Sequence, residues 1–301
     1  MNCKICNHRN SNITYKLKNA SIYVCEKCKF HYSSYLDPNS STDAFIENTP
    51  VQDSIKIYLK TQLQHNKIRF ENHVNIVKQL LIEKQNAKIL DVGCGGGLFL
   101  SLLNRDKFEC YGIEPELNRL KFARQETNLK NIFSFPIESS YWKEHHSNSF
   151  DIITIWDVIE HVNDPKSILF SAKQLLKPGG YIIIDTPCRN TFYHRFGALT
   201  YKLSFGKLPT FLNIMYSDHP FGHKQILSKS DIRTIFKECN LNLIQLKLFH
   251  ELSFPVAYYI NKFSLYPWIQ KILIPITERI LRIVQIKNKM LVIGKLESLE
   301  S

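Results

Sequence analysis

The sequence predicts an α/β fold, a doubly wound and mainly parallel seven-stranded sheet with a small zinc-binding unit at the amino terminus. Three observations carry the sheet. Lys88 to Gly97 reads KILDVGCGGG, an apolar run driving into a glycine-packed turn that opens a helix. Such a turn bends sharply and lets a ligand approach the main chain. Ile113 and Glu114 then close a second apolar run, YGIE, about 20 residues on, the distance at which an acid meets ribose hydroxyls in a doubly wound sheet. Apolar runs suited to strands recur at 88–92, 109–113, 131–135, 150–156, 180–186, 241–249 and 289–295, with helical stretches between most of them. Alternation of this kind means a parallel sheet covered on both faces. Turn and acid together imply an adenosine-bearing cofactor.

From the amino terminus, Cys3 and Cys6 form one C-x2-C pair and Cys25 and Cys28 another. Four thiolates at this spacing fit tetrahedral zinc, and the residues between the pairs suit two short strands folding back on themselves. A segment this short cannot bury enough apolar surface to fold alone, so bound metal supplies the missing stability. Residues 1–36 are therefore expected to form a zinc unit. The stretch 37–49, rich in Ser, Asn, Asp and Pro, reads as a linker. Helices follow up to residue 87, with Ile55, Leu59 and Leu63 and then Val74, Val77, Leu80 and Leu81 at helical spacing.

The core begins at Lys88. Its turn reads D-x-G-x-G-G-G, not the G-x-G-x-x-G of a dinucleotide fold. A carboxylate at Asp91, ahead of the first glycine, receives an ammonium but repels a pyrophosphate, which favours S-adenosylmethionine over NAD. FDIITIWDVIEHV at 150–162 and LLKPGGYIIIDTP at 175–187 fall where a fourth and fifth strand belong. The succession resembles the class I S-adenosylmethionine-dependent methyltransferases, with their Rossmann-like sheet, over roughly residues 70 to 250. Within that frame Asp91 and the turn from Gly93 through Cys94 and Gly95 to Gly97 are expected to hold the amino acid part of the cofactor. Glu114 would take the ribose hydroxyls, Ile137 and Glu138 would border the adenine, and Trp156 and Asp157 would lie beside the methionine portion. The ribbon VCEKCKFHYSSYLDP resembles the zinc ribbon preceding many bacterial small-molecule methyltransferases, including deoxysugar C-methyltransferases.

After the fifth strand a long insertion, 188–227, is full of aromatics and contains YSDHPFGHKQILS. Placed there, it hangs over the methyl-transfer site as a lid. Tyr216, Asp218, His219 and His223 offer a hydroxyl, a carboxylate and two imidazoles, a set suited to deprotonating an acceptor. The stretch resembles the tyrosine-acid-histidine element of zinc-containing sugar C-methyltransferases, with either His219 or His223 as the acting histidine. His161, in the turn after the fourth strand, either faces substrate or packs under the sheet edge. Cys188 lacks an activating base and reads as packing. A second insertion, 251–287, carries Trp268, Ile272, Ile276, Ile280 and Val284 at helical spacing, with Lys271, Arg279 and Arg282 away from that stripe. It is either a flap on the lid, a basic membrane-surface helix spanning 267–286, or a dimer contact.

Composition agrees with an enzyme. The 301 residues are 44% hydrophobic, enough for one full core and a small appendage. No apolar run approaches the roughly 20 residues of a membrane span, and the polar start MNCKICNHRN has no signal-peptide core, so the expected location is cytoplasmic. Eight cysteines then point to metal or thiol roles, not disulfides. The net charge of +12 invites polyanions, but the basic residues do not form a stripe with interleaved aromatics. WDVIEHV also replaces the Asp/Asn-Pro-Pro-aromatic motif of nucleic-acid amino-methyltransferases. The expected acceptor is a small molecule or a glycan or nucleotide-sugar precursor. The alternatives are an RNA methyltransferase whose ribbon contacts RNA, and a non-catalytic cofactor-binding or assembly protein.

Overall fold

The computed structural model describes residues 2–298 except 19, 38–51, 83, 85, 105–107, 128, 217–221, 253 and 262–265. The expected linker thus lies almost entirely outside the described residues. At the amino terminus β1 (Ser11–Lys16), β2 (Ser21–Cys25) and β3 (His31–Ser33) make a three-stranded antiparallel sheet, one strand more than the spacing suggested. Ile5, Phe30 and Tyr32 at its base are buried in the same apolar cluster as the main core, so the ribbon is docked on the body.

The two expected runs of helix are one helix, α1 (Asp53–Leu80). Its sequence has no glycine or proline, so nothing interrupts the hydrogen-bond ladder. The gap in its apolar periodicity marks a change of partner. Leu59 and Leu63 pack with Phe122, whereas Val74 and Val77 join the cluster on the face of the main sheet.

The main sheet comprises β4 (Lys88–Val92), β5 (Glu109–Ile113), β6 (Ile132–Phe133), β7 (Phe150–Trp156), β8 (Leu176–Pro187), β9 (Asn242–Phe249) and β10 (Lys289–Lys295). Their order is β6-β5-β4-β7-β8-β10-β9, and only β10 runs antiparallel to its neighbours. Every residue of β7 is buried, as a central parallel strand covered on both faces requires. The third strand is shorter than expected because Pro136 and the aromatic packing of Phe133 and Phe135 on Tyr141 take the chain out of the ladder. The fifth starts earlier, at Leu176, with a register irregularity between Phe150 and Ile152 absorbing the KPGG segment.

Helices α2 (Leu98–Asn104), α3 (Leu117–Thr127), α4 (Ser140–His146), α5 (Pro165–Leu175) and α8 (Lys229–Glu238) cover the sheet. Asp164 caps α5 ahead of a proline at its first turn, and Ser228 with Asp231 forms a capping box on α8. The lid contains α6 (Phe192–Leu203) and α7 (Thr210–Met215), and the second insertion contains α9 (Val256–Asn261) and α10 (Pro267–Ile283). Among the described residues, no helix is long and apolar enough to cross a membrane. Strand order reverses between β4 and β7, and the crevice at their carboxyl ends is where ligands enter such sheets.

Candidate active site

At that crevice the chain leaves β4 through the glycine turn. Gly93 and Cys94 both donate backbone hydrogen bonds to the Ile113 carbonyl, at 2.7 and 2.9 Å, which ties the turn to the end of β5. Glu114 follows directly. Its Oε2 accepts from Gly95 N at 2.8 Å and its Oε1 from Glu116 N at 2.9 Å, so both carboxylate oxygens are held in place. The side chain is buried, and burial raises its pKa. Gly95 sits at φ +55°, and a Cβ built there meets no atom within 4 Å beyond its neighbours in the chain. The turn therefore opens onto free space on the Gly95 side, a cradle that a side chain would fill. Gly93, at φ +76°, is closed in; a Cβ there would come within 2.4 Å of Val158 Cγ2.

Asp91 stands near the carboxyl end of β4, just ahead of the turn. It is buried, it accepts a hydrogen bond from Thr154 Oγ1 at 2.7 Å, and burial pushes its pKa up to about 8. Ile137 is buried beyond β6 and Glu138 beside it is exposed. Trp156 ends β7, stacked on His73 of α1 with ring centroids 4.0 Å apart, and its buried Nε1 has no hydrogen-bond partner among the described residues.

Asp157, at a left-handed φ of +51°, belongs to a charge network that sequence reasoning missed. Arg69 Nη2 of α1 donates to Asp157 Oδ2 at 2.6 Å and to Asp185 Oδ2 at 3.0 Å, and its Nε lies 2.7 Å from Glu251 Oε2 as an ion pair off hydrogen-bond alignment. Lys289 Nζ donates to Asp157 Oδ2 at 2.6 Å and to Glu251 Oε2 at 3.2 Å. The Asp157 backbone N–H donates to Asp185 Oδ1 at 2.7 Å. Two cations thus face three carboxylates in a site mostly removed from water, where each ion needs the others. His73 sits 3.5 Å from Asp185 Oδ2, yet burial lowers its pKa to about 4 and keeps it neutral. The only sequence signal for Arg69 and His73 was the polar gap in the periodicity of α1.

On the lid side, the structure brings His161 and His223 together, with ring centroids 4.6 Å apart. His223 Nδ1 is 2.9 Å from the Met215 carbonyl. A carbonyl only accepts, so Nδ1 carries a proton, and in the neutral ring Nε2 is the nitrogen left to accept one. Glu160 is fully buried beneath the pair, with Oε2 on Thr186 Oγ1 at 2.9 Å and Oε1 3.9 Å from His161 Nε2. Burial, reinforced by Asp157, holds its pKa well above the usual carboxylate range. Glu160, His161 and His223 each bring one possible ligand atom within 4.8 Å of the others, close enough to hold a cation. His73, Asp185 and Glu251 meet the same distance, but Arg69 and Lys289 already neutralise that cluster.

Tyr216 is not with these histidines. Its hydroxyl pairs with His194 Nε2 at 3.1 Å, and its ring is buried with Tyr15, Ile22 and Leu212 where the lid meets the ribbon. The apolar body of the phenol drives it into that seam. Asp218 and His219 lie outside the described residues. Lys224, fully buried, fastens the returning chain by an ion pair to Asp37 at 2.7 Å and a hydrogen bond to the His161 carbonyl at 2.6 Å.

In the ribbon, Cys3 and Cys28 sulfurs stand 3.5 Å apart and those of Cys6 and Cys25 3.6 Å, all four within 4.8 Å of one another. Zinc–sulfur bonds of about 2.3 Å in a tetrahedron put sulfurs about 3.8 Å apart, so the cluster has the size of such a site. Burial raises the pKa of the Cys3 and Cys28 thiols, while nearby backbone N–H groups of Cys28 and Lys27 help to lower that of Cys25, and a bound cation would offset the cost of holding thiolates there.

Residues 64–246 match the model of a methyltransferase domain family. A ubiquinone biosynthesis O-methyltransferase of Acinetobacter baumannii is 29% identical over 154 residues, 48% of this chain and 65% of that one. A ubiquinone biosynthesis O-methyltransferase of Yersinia pestis is 34% identical over 107 residues, 35% of this chain and 44% of that one. The chain thus spans less than two thirds of the length of these relatives. Among solved structures, the YcgJ protein of Bacillus subtilis superposes with a TM-score of 0.52 at 16% identity, covering 76% of this chain and 100% of that one. This likeness concerns the fold.

Proposed function

Because the chain belongs to the methyltransferase domain family, we propose that it transfers a methyl group from S-adenosylmethionine to a hydroxyl of a small molecule or a glycan or nucleotide-sugar precursor. The observation that carries the reading is the cradle at Gly95, an open space lined by a glycine main chain and bordered by a carboxylate whose two oxygens are held by backbone donors. Glu114 in that position suits two vicinal ribose hydroxyls. The unpaired Trp156 Nε1 beside the crevice is a buried donor that a ligand would satisfy. The O-methyl chemistry in the relatives' names favours an oxygen acceptor. The sulfonium supplies the methyl group; the protein positions the acceptor in line with it and excludes water. His223, whose Nδ1 donates to the Met215 carbonyl, is assigned the proton-accepting role through Nε2 of its neutral ring, and His161 its orientation. Asp157, fixed by Arg69 and Lys289, would contact the acceptor or the methionine portion. A zinc ion on Cys3, Cys6, Cys25 and Cys28 is proposed as structural only.

Isothermal titration tests the cofactor. S-Adenosylmethionine and S-adenosylhomocysteine should both bind, and Glu114→Ala should weaken both by about 1 to 3 kcal/mol through two lost charge-assisted hydrogen bonds. Absence of binding by the parent protein would overturn the reading. The base is tested with methyl-labelled cofactor against a panel of nucleotide sugars and glycan precursors. His223→Ala should lower turnover on the accepted compound roughly 100-fold while cofactor affinity stays nearly constant. Parent-like turnover would leave positioning alone as the source of rate.

A further inference from the structure

Among the described residues, no side chain of α10 is buried, and α9 is the element it packs against most closely. Trp268, Ile272, Ile276, Ile280 and Ile283 fall on one stripe and are 48 to 77% exposed. A run of this kind has no reason to be helical and bare in water, since apolar burial is what holds short helices in proteins. Across residues 266–288 the sequence carries Lys271, Arg279, Arg282 and Lys287 against a single acid, Glu278.

Topology gives the face a direction. Lys289 pairs with Pro187 on one side and with Phe249 on the other, so both insertions leave the sheet at the same edge. That edge carries Asp157, Asp185 and Lys289 of the charge network. The lid emerging there repeats the pattern. Leu203, the last residue of α6, is 71% exposed and Phe205, in the turn that follows, 94%, between Lys202 and Lys207.

We infer that an anionic lipid bilayer covers this face, with α10 lying in the boundary between headgroups and acyl chains and the lid turn at Phe205 touching the same surface. The charge selects this occupant. A chain of net charge +12 repels a second copy of itself, and pairing α10 with its like would bring basic borders together with one acid per helix. An anionic bilayer instead attracts the basic border while its acyl chains accept the stripe. Aromatic Tyr266 and Trp268 at the amino end of the helix suit the headgroup level. This inference does not depend on the methyl-transfer reading.

The test is flotation of the full chain with vesicles of phosphatidylcholine alone and of phosphatidylcholine mixed with phosphatidylglycerol. The protein should float with the anionic vesicles, less so as salt is raised, and hardly at all with the neutral ones. Ile276→Asp combined with Ile280→Asp should cut partition at least about 10-fold, with circular dichroism unchanged. Of the three tryptophans, Trp142 and Trp156 are buried and Trp268 is exposed. Anionic vesicles should therefore shift the emission to the blue, and Trp268→Phe should remove the shift. No flotation with anionic vesicles, or equal flotation of the double variant, overturns the inference. So does light scattering that finds a dimer in the parent and a monomer in the double variant, because a second copy would then be the cover.

Discussion

Cys25→Ser together with Cys28→Ser should strip the chain of metal and unfold the ribbon, the largest single loss of stability expected in this protein. The parent, purified without added zinc, should hold one zinc ion per chain by metal analysis. Structural zinc sites of this type contribute on the order of 10 kcal/mol to the folding of the segment that holds them, and residues 3–33 have little else. Their three strands are short, and Ile5, Ile22, Phe30 and Tyr32 are the chief apolar residues they bury. Ile5, Phe30 and Tyr32 pack into the main core, while Tyr15 and Ile22 pack against Tyr216 and Leu212 of the lid. Loss of the ribbon should thus expose the lid as well, and limited proteolysis should cut the double variant both before residue 33 and within 188–227. A metal content near zero in the parent, or full retention in the double variant, would sink the assignment.

Gly95→Val should abolish binding of S-adenosylmethionine and S-adenosylhomocysteine, a loss beyond about 100-fold. Two effects act together. A β-branched residue at φ +55° is strained by about 1 to 3 kcal/mol, and its side chain enters the space where the cofactor would meet the main chain. Beyond the adjacent residues of the turn, no protein atom lies within 4 Å of the new Cβ, so the fold should survive and the loss should be read in titration, not in unfolding. Gly95→Ala keeps the obstruction with less strain and should also bind poorly. Gly93→Val differs in kind. Its Cβ collides with Val158, so it should lower thermal stability as well. Parent-like affinity in Gly95→Val, with intact circular dichroism, would defeat the cradle as the cofactor site.

The strands of the main sheet were legible in the sequence because the central ones are compact apolar runs, which report their own burial, and β9 shows the apolar-polar alternation of an edge strand. The glycine turn was legible for the same local reason, as were the cysteine pairs. Boundaries shifted where a local signal met a competing one, at Pro136 after β6 and in the KPGG segment of β8. The single long α1 was hidden because an apolar gap resembles a break, although no glycine or proline stood there to make one.

Only the tertiary structure decided which polar residues meet. Arg69, Asp157, Asp185, Glu251 and Lys289 come from a helix, two strand ends, a loop and the first residue of β10. The order β4-β7-β8-β10 stacks those ends side by side, and α1 crosses them to deliver Arg69. The lid was divided in the same way. Tyr216 and His223 stand close in the sequence, yet one pairs with His194 near the ribbon and the other with His161 above the sheet. Patterns of burial and turn chemistry are written within a few residues of where they act, and the sequence by itself determined those. Partners in a buried charge network are chosen by strand order and by the path of a distant helix, because a desolvated ion is stable only where the fold places its counter-ion.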